Sequence, residues 1–142
     1  MTTVEQVLEH KGRDVWTIAP TATVLDAIKE FVNRNIGSLA VMEDGKLVGI
    51  FTERQYARNV FLKGKHSPTT TVRDVMASEV AYVTPEQTVP ECMAIMIDKR
   101  YRHLPVMVGE KVVGMVSIGD LVESTISEQK FTIEQLEHYI RS

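Results

Sequence analysis

Two stretches of this chain place a hydroxyl residue and a polar acceptor three positions apart, directly after an apolar run. They are Gly49-Ile-Phe-Thr52-Glu-Arg-Gln55 and Gly114-Met-Val-Ser117-Ile-Gly-Asp120. In each, glycine and two apolar residues end a strand and the hydroxyl residue opens a helix. Such a pair can satisfy the orphan backbone N–H groups of a helix start, as in a capping box. The same helix start also offers amides and the positive end of a dipole to an anion, and ligands collect at the carboxyl ends of strands. There the hydroxyl can donate to a phosphate, while a carboxylate three residues on accepts from a ribose diol. One stretch alone reads as a cap; two equivalent stretches favour a ligand.

The elements that hold these junctions repeat as well. Sliding the chain by 65 residues superimposes Val15 on Val80, Pro20 on Pro85, Thr23-Val24 on Thr88-Val89, Leu39 on Leu104 and Val41-Met42 on Val106-Met107. Lys46 and Val48-Gly49 then fall on Lys111 and Val113-Gly114, making ten identities in the 43 pairs from Val15 to Ala57. At the front the offset becomes 68 and aligns residues 3–8 with 71–76, so the first copy holds three extra residues within 9–14. Each copy opens with a short extended stretch (15–18; 80–83) ended by a proline, which cannot donate to a sheet. A threonine N-cap, Thr23 or Thr88, precedes apolar residues at helical spacing. A strand pair follows (39–42 with 47–51; 104–108 with 112–116), joined by hairpin turns. A helix then closes each copy (53–62; 118–127). Apolar Phe131, Ile133, Leu136 and Ile140 predict a separate C-terminal helix. The expected fold class is α/β (α+β), β-α-β-β-α twice, with repeats at 1–64 and 65–130 and a terminal helix at 131–142. One copy of about 60 residues would have a marginal core, which packing of two relieves.

Composition narrows the function. With 142 residues, 44% hydrophobic and 25% charged, the chain can build a core without disulfides. The formal charge of −3 supplies no overall basic field for nucleic acid. No apolar run approaches the roughly 20 residues that span a bilayer, and the polar start lacks the apolar segment of a secretory signal. The single cysteine, Cys92, fits a reducing compartment. The expectation is a cytoplasmic protein with neither nucleic-acid nor membrane partner. The four histidines show no metal-site spacing, so no metal is expected.

The β-α-β-β-α repeat and its G-h-h-[ST]-x-x-[DN] junctions resemble the cystathionine β-synthase (CBS) domain, and two in tandem resemble a Bateman module. Residues 51–58, Phe-Thr-Glu-Arg-Gln-Tyr-Ala-Arg, are similar to the corresponding stretch of small stand-alone CBS pairs. The resemblance implies pseudo-two-fold packing of the repeats, homodimers, and clefts for adenosyl ligands: AMP first, with ADP, ATP, NAD(H) or S-adenosylmethionine as further candidates. It implies ligand sensing for a regulated protein partner, with no catalytic residue and no catalytic cofactor. Carried over by motif, one site would combine Thr52, Arg54 and Gln55 with Ala81, Val83, Arg100, Tyr101, Arg102 and His103. The other would combine Ser117 and Asp120 with Arg13, Val15, Trp16, Ile18, Ile36, Gly37 and Ser38. Gln55 departs from the usual Asp, and an amide cannot accept from both ribose hydroxyls as a carboxylate does. The first site has cations instead (Arg54, Arg58, Arg100, Arg102), which suit phosphate. This predicts a division of labour between phosphate and ribose.

Several residues also have plainer readings. Lys99, Arg100 and Arg102 can be a solvated helix end, Trp16 a packing residue, and Cys92 a buried inert thiol. A Ser117/His103/Asp120 triad would need an oriented base and an oxyanion hole, and no nucleophile-elbow pattern surrounds Ser117. The competing non-enzymatic reading is a protein-interaction module with degenerate nucleotide sites, which Gln55 favours.

Overall fold

The computed structural model describes residues 1–141. Its elements are α1 (Val4–Lys11), β1 (Thr17–Ile18), α2 (Val24–Arg34), β2 (Ser38–Glu43), β3 (Lys46–Thr52), α3 (Glu53–Gln55), α4 (Val72–Val75), α5 (Val89–Lys99), β4 (His103–Val108), β5 (Lys111–Ser117) and α6 (Ile118–Arg141). After α3 the chain continues in wide π-helical turns over Tyr56–Phe61, closing the helix expected for 53–62. The β-α-β-β-α order therefore holds in the first copy, and in the second with its opening strand reduced to one bridge.

In space the chain forms two compact units. One comprises Met1–Asp14, Ala81–Val108 and Val113–Ser142; the other comprises Val15–Val80 and Gly109–Val112. The units are interleaved along the chain, whereas the repeat boundaries 1–64, 65–130 and 131–142 run consecutively. The physical reason is that the helix opening each copy packs on the other copy's strands. An eight-residue helix such as α1 has little stability alone. It is started by a Thr3/Gln6 capping box and buries Val4, Val7 and Leu8 among Val83, Val89, Cys92, Leu104, Val106, Val116 and Leu121. Val4 N–H donates to Gln87 O (2.8 Å), Glu5 N–H to Pro85 O (2.9 Å) and Val89 N–H to Thr2 O (2.9 Å). In the other unit α4 reproduces the pattern: Val72 N–H to Ala22 O (2.9 Å), Arg73 N–H to Pro20 O (3.0 Å) and Val24 N–H to Thr70 O (2.9 Å). The two glycines before the junctions serve this packing. A Cβ on Gly114 would lie 2.8 Å from both Leu8 methyls, and one on Gly49 would lie 2.5 Å from Met76 Sδ.

The Val15–Val80 unit holds a three-stranded sheet in the order β1-β2-β3. β1 runs parallel to β2 (Thr17↔Ala40, Ile18↔Val41), as the α2 crossover requires. β2 runs antiparallel to β3 from Ser38↔Thr52 to Glu43↔Lys46, with a register shift after Val41. α2 buries Val24, Ala27 and Phe31 against Leu39, Val41, Phe51 and Val60, with the rings of Phe31 and Phe51 stacked 5.8 Å apart.

The second sheet has only β4 and β5. The strand expected at 80–83 is reduced to a single parallel bridge, Val83↔Val106. Pro105 explains the shortfall. It stands where Ala40 donates to Trp16 O (3.0 Å) in the first copy, and proline has no N–H to give Ala81. The helices expected at 118–127 and 131–140 are one continuous helix of 24 residues. Residues 127–131, Ser-Glu-Gln-Lys-Phe, contain neither glycine nor proline, so nothing ends it. From Glu128 to Arg141 every residue of α6 is exposed, its apolar ones included. Cys92 is buried on α5, and burial, with Glu91 adding to it, pushes the thiol up to about 11. Among the described residues no helix is long and apolar enough to cross a membrane.

Candidate functional site

Both strand-to-helix junctions form as expected, each a capping box built on its own strand end. In the Val15–Val80 unit Thr52 ends β3 and is the buried polar residue of the core. Its Oγ1 accepts from Gln55 N–H (3.3 Å), and Gln55 Oε1 accepts from Thr52 N–H (3.1 Å) and also from the Thr52 hydroxyl. The only acceptor of the Gln55 side chain is thus committed to the cap. Glu53 N–H donates to Gly37 O (3.1 Å), and Ser38 pairs with Thr52 across the sheet. Ile36 packs on the core beneath. Thr52, Arg54 and Gln55 therefore stand beside Ile36, Gly37 and Ser38 of their own copy.

The equivalent junction in the other unit differs in charge. Ser117 Oγ accepts from Asp120 N–H (3.1 Å), and Asp120 Oδ2 accepts from Ser117 N–H (2.8 Å). Lys11, at the end of α1, donates to the same Oδ2 at 2.6 Å and to Met115 O at 2.8 Å. The bonds from Ser117 N–H and Lys11 both fall on Asp120 Oδ2. Burial pushes the Asp120 carboxyl up, but the Lys11 ammonium and the Ser117 N–H outweigh it and hold the group below its ordinary value. Ile118 N–H donates to Arg102 O (2.9 Å), the counterpart of the Glu53–Gly37 bond. Burial pushes the neighbouring His103 imidazole down; Asp120 opposes this, while Lys11 and Arg102 reinforce it. Within each unit the junction is thus bonded to its own copy's pre-hairpin segment.

The remaining expected residues are placed as follows. Arg100 caps α5 in the left-handed conformation (φ 59°), as Asn35 caps α2 (φ 53°). Tyr101 and Ala81 pack partly buried against the core. Val83 is fully buried, and its N–H and C=O are bonded to Pro105 and Met107, so it presents no polar group of its own. Arg13 pairs with Glu5 of α1. Val15, Trp16 and Ile18 line an open groove of about 510 Å³ along α2, with Asp26, Lys29 and Arg34. Trp16 is 38% exposed, and Arg34 Cζ lies 3.9 Å from its ring centroid, so a cation already covers one ring face. Ile36, Gly37 and Ser38 are not part of that groove.

No hydrogen bond among the described residues joins His103 to Ser117 or Asp120, and the Asp120 carboxylate is turned to the cap and to Lys11. No triad is assembled there. Among the described residues no group of His, Cys, Asp and Glu could hold a metal. The residue that the sequence reading missed is Lys11, 109 positions from Asp120. Its only signal was its place in the 9–14 stretch, where the first copy is three residues longer than the second.

Paired β-α-β-β-α copies, each closing on a hydroxyl-capped strand-to-helix junction, define a tandem-repeat module of the Bateman type. The chain belongs to the CBS domain family, whose pattern matches residues 3–61 and 72–126. It is 38% identical over 149 aligned residues to the mitochondrial CBS domain-containing protein CBSX3 of Arabidopsis thaliana, covering 99% of this chain and 72% of that protein. A putative signal-transduction protein with CBS domains from Burkholderia ambifaria MC40-6 superimposes with a TM-score of 0.87 at 46% identity, over 90% of this chain and 96% of that one. The CBS domain pair of protein MJ0100, solved with 5′-methylthioadenosine and S-adenosyl-L-methionine, shares the fold (TM-score 0.80, 23% identity, 90% and 98% coverage). The family and these relatives make the chain a regulatory module rather than an enzyme.

Proposed function

We propose that this CBS pair binds an adenosyl nucleotide at its strand-to-helix junctions, AMP ahead of NAD(H) or ATP, and relays its presence to a protein partner in the reducing cytoplasm. The observation that carries the reading is the Ser117–Asp120 junction. A hydroxyl, the positive end of a 24-residue helix and a carboxylate held ionised converge there, and the carboxylate oxygen not bonded to Lys11 is left for a ribose hydroxyl. The adenosyl ligands of the MJ0100 pair support the ligand class. Gln55, spent on its own cap, leaves ribose capture to Asp120. Thr52 and Arg54 take the phosphate role at the other junction. A ligand transmits a signal only between states that it binds unequally, so the response is a shift of population.

A second copy of the chain is the other partner in this reading, and α6 supports it. Val122, Ile126, Gln129, Ile133, Leu136 and Ile140 alternate at spacings of four and three, a heptad seam with isoleucine at one core position. This seam lies on the side of α6 opposite Asp120, Ser124, Ser127 and Phe131, which line the groove against α1. All its apolar members are exposed, Ile140 to 80%. Pairing two such seams in parallel would cover about 1,000 Å², the floor for a specific interface. It would also set neutral Thr125 and Thr132 against charged Lys130 and Glu137, so no like charges meet.

The test is thermal stabilisation and calorimetric titration of the wild type, Asp120→Ala and Arg54→Ala with AMP, ATP, NAD(H) and S-adenosylmethionine. Saturating AMP at a hundred times its Kd should stabilise the wild type by about 2.7 kcal/mol. Asp120→Ala should lose the ribose contact at the second junction and Arg54→Ala the phosphate contact at the first. Equal loss in both would refute the division of labour. Stabilisation by none of the four would leave the interaction-module reading.

A further inference from the structure

The Ser117–Asp120 junction carries a cation from the opening helix: Lys11, in the 9–14 stretch where the first copy is three residues longer than the second. Its ammonium sits at the carboxyl end of β5, held by Asp120 Oδ2 (2.6 Å) and Met115 O (2.8 Å). The pair is neither deeply buried nor free in water, with side chains 33% and 20% exposed. An ammonium has three donors, and these contacts use two, so one remains for a ligand atom.

We propose that Lys11 is the ligand-selecting residue of this junction, favouring adenosyl ligands with a 5′-phosphate over neutral thioethers and sulfonium cations. The inference rests on the nucleotide reading given above and adds the ligand class to it. Without Lys11, a lone Asp120 carboxylate beside the ribose would repel a phosphate and attract a sulfonium. With it, the carboxylate is neutralised by its partner, and the third ammonium donor faces the anion together with the positive end of the α6 dipole. Lysine serves here as a compact point charge, which a phosphate accepts from any side. The sulfonium of S-adenosylmethionine would instead meet a second fixed positive charge.

The experiment is calorimetric titration of the full chain, wild type, Lys11→Met and Lys11→Arg, with AMP, 5′-methylthioadenosine and S-adenosylmethionine. In Lys11→Met, AMP affinity should fall about tenfold or more, the loss of one charge contact in a partly exposed site. 5′-Methylthioadenosine should stay within about threefold and S-adenosylmethionine should tighten. Lys11→Arg should restore the preference for AMP. Thermal melting of each variant checks that the pair is not needed for folding. Equal loss of AMP and 5′-methylthioadenosine would overturn the inference, since Lys11 would then only position Asp120. Unchanged AMP binding would overturn it as well. A wild type that binds none of the three overturns the nucleotide reading itself, and this inference with it.

Discussion

Gly114→Ala tests the packing of α1 most directly. The added Cβ would sit 2.8 Å from both Cδ methyls of Leu8, inside the roughly 3.5–4.0 Å at which carbons attract. Leu8 is fully buried, so it cannot swing into solvent to make room. Overpacking of this kind costs about 1–3 kcal/mol, and each kcal/mol lowers the melting midpoint of a chain this size by roughly 3–5 °C. Leu8→Ala alone removes a buried leucine and costs about 2–5 kcal/mol. In the double variant the new methyl occupies space that Leu8 vacates, so the two penalties should fall short of their sum by about 1 kcal/mol or more. Gly49→Ala behaves differently although the position is equivalent. Its Cβ would meet Met76 Sδ at 2.5 Å, which can give way, and the Ala77 carbonyl oxygen at 2.8 Å, which cannot. That carbonyl accepts from Ile50 N–H, and Ala77 N–H donates back to Ile50 O, both at 2.9 Å. Met76→Ala should therefore fail to rescue Gly49→Ala. Urea denaturation midpoints of the four single and two double variants decide the matter. Strict additivity of Leu8→Ala with Gly114→Ala, or rescue of Gly49→Ala by Met76→Ala, would refute the packing described.

Two further outcomes follow from the same geometry. Asp120 is held below its ordinary carboxyl value of 3.8, so its contribution to stability is present above that value and lost as pH falls through the lowered folded value. Wild type should accordingly lose more stability than Asp120→Asn between pH 7 and pH 3 in urea titrations; parallel losses would contradict the Lys11–Asp120 pairing as a source of stability. Ile133→Lys on the α6 seam should convert a dimer to a monomer by sedimentation equilibrium without altering the melting of the core, and a variant that stays dimeric would place the interface elsewhere.

Much of this architecture was legible in the residues. Offset identities, the Thr23 and Thr88 caps and the hairpin turns gave the element order, because each is a local signal with a local cause. The Ser117–Asp120 and Thr52–Gln55 pairs were legible for the same reason. What escaped depended on distant partners. The strand at 80–83 looked as good as that at 15–18, and only its pairing with Pro105 shortens it. The break expected before Phe131 was inferred from a change in apolar pattern, while helix continuation is decided by the absence of a breaker. Lys11 looked like an ordinary basic residue at a helix end until the packing of α1 carried it to Asp120. Gln55 was read as a weakened ribose ligand; its acceptor is in fact occupied by its own cap.

The exchange of opening helices has a consequence for the repeat as a building block. A protein of one copy would carry a helix that fits another copy's strands, and its own glycine-bearing strand would lack a cover. Such a chain could complete its core by trading helices with a twin; in this chain the trade takes place within one molecule. Cutting the chain anywhere in residues 63–71 would reverse that step, leaving two fragments that each hold the missing piece of the other.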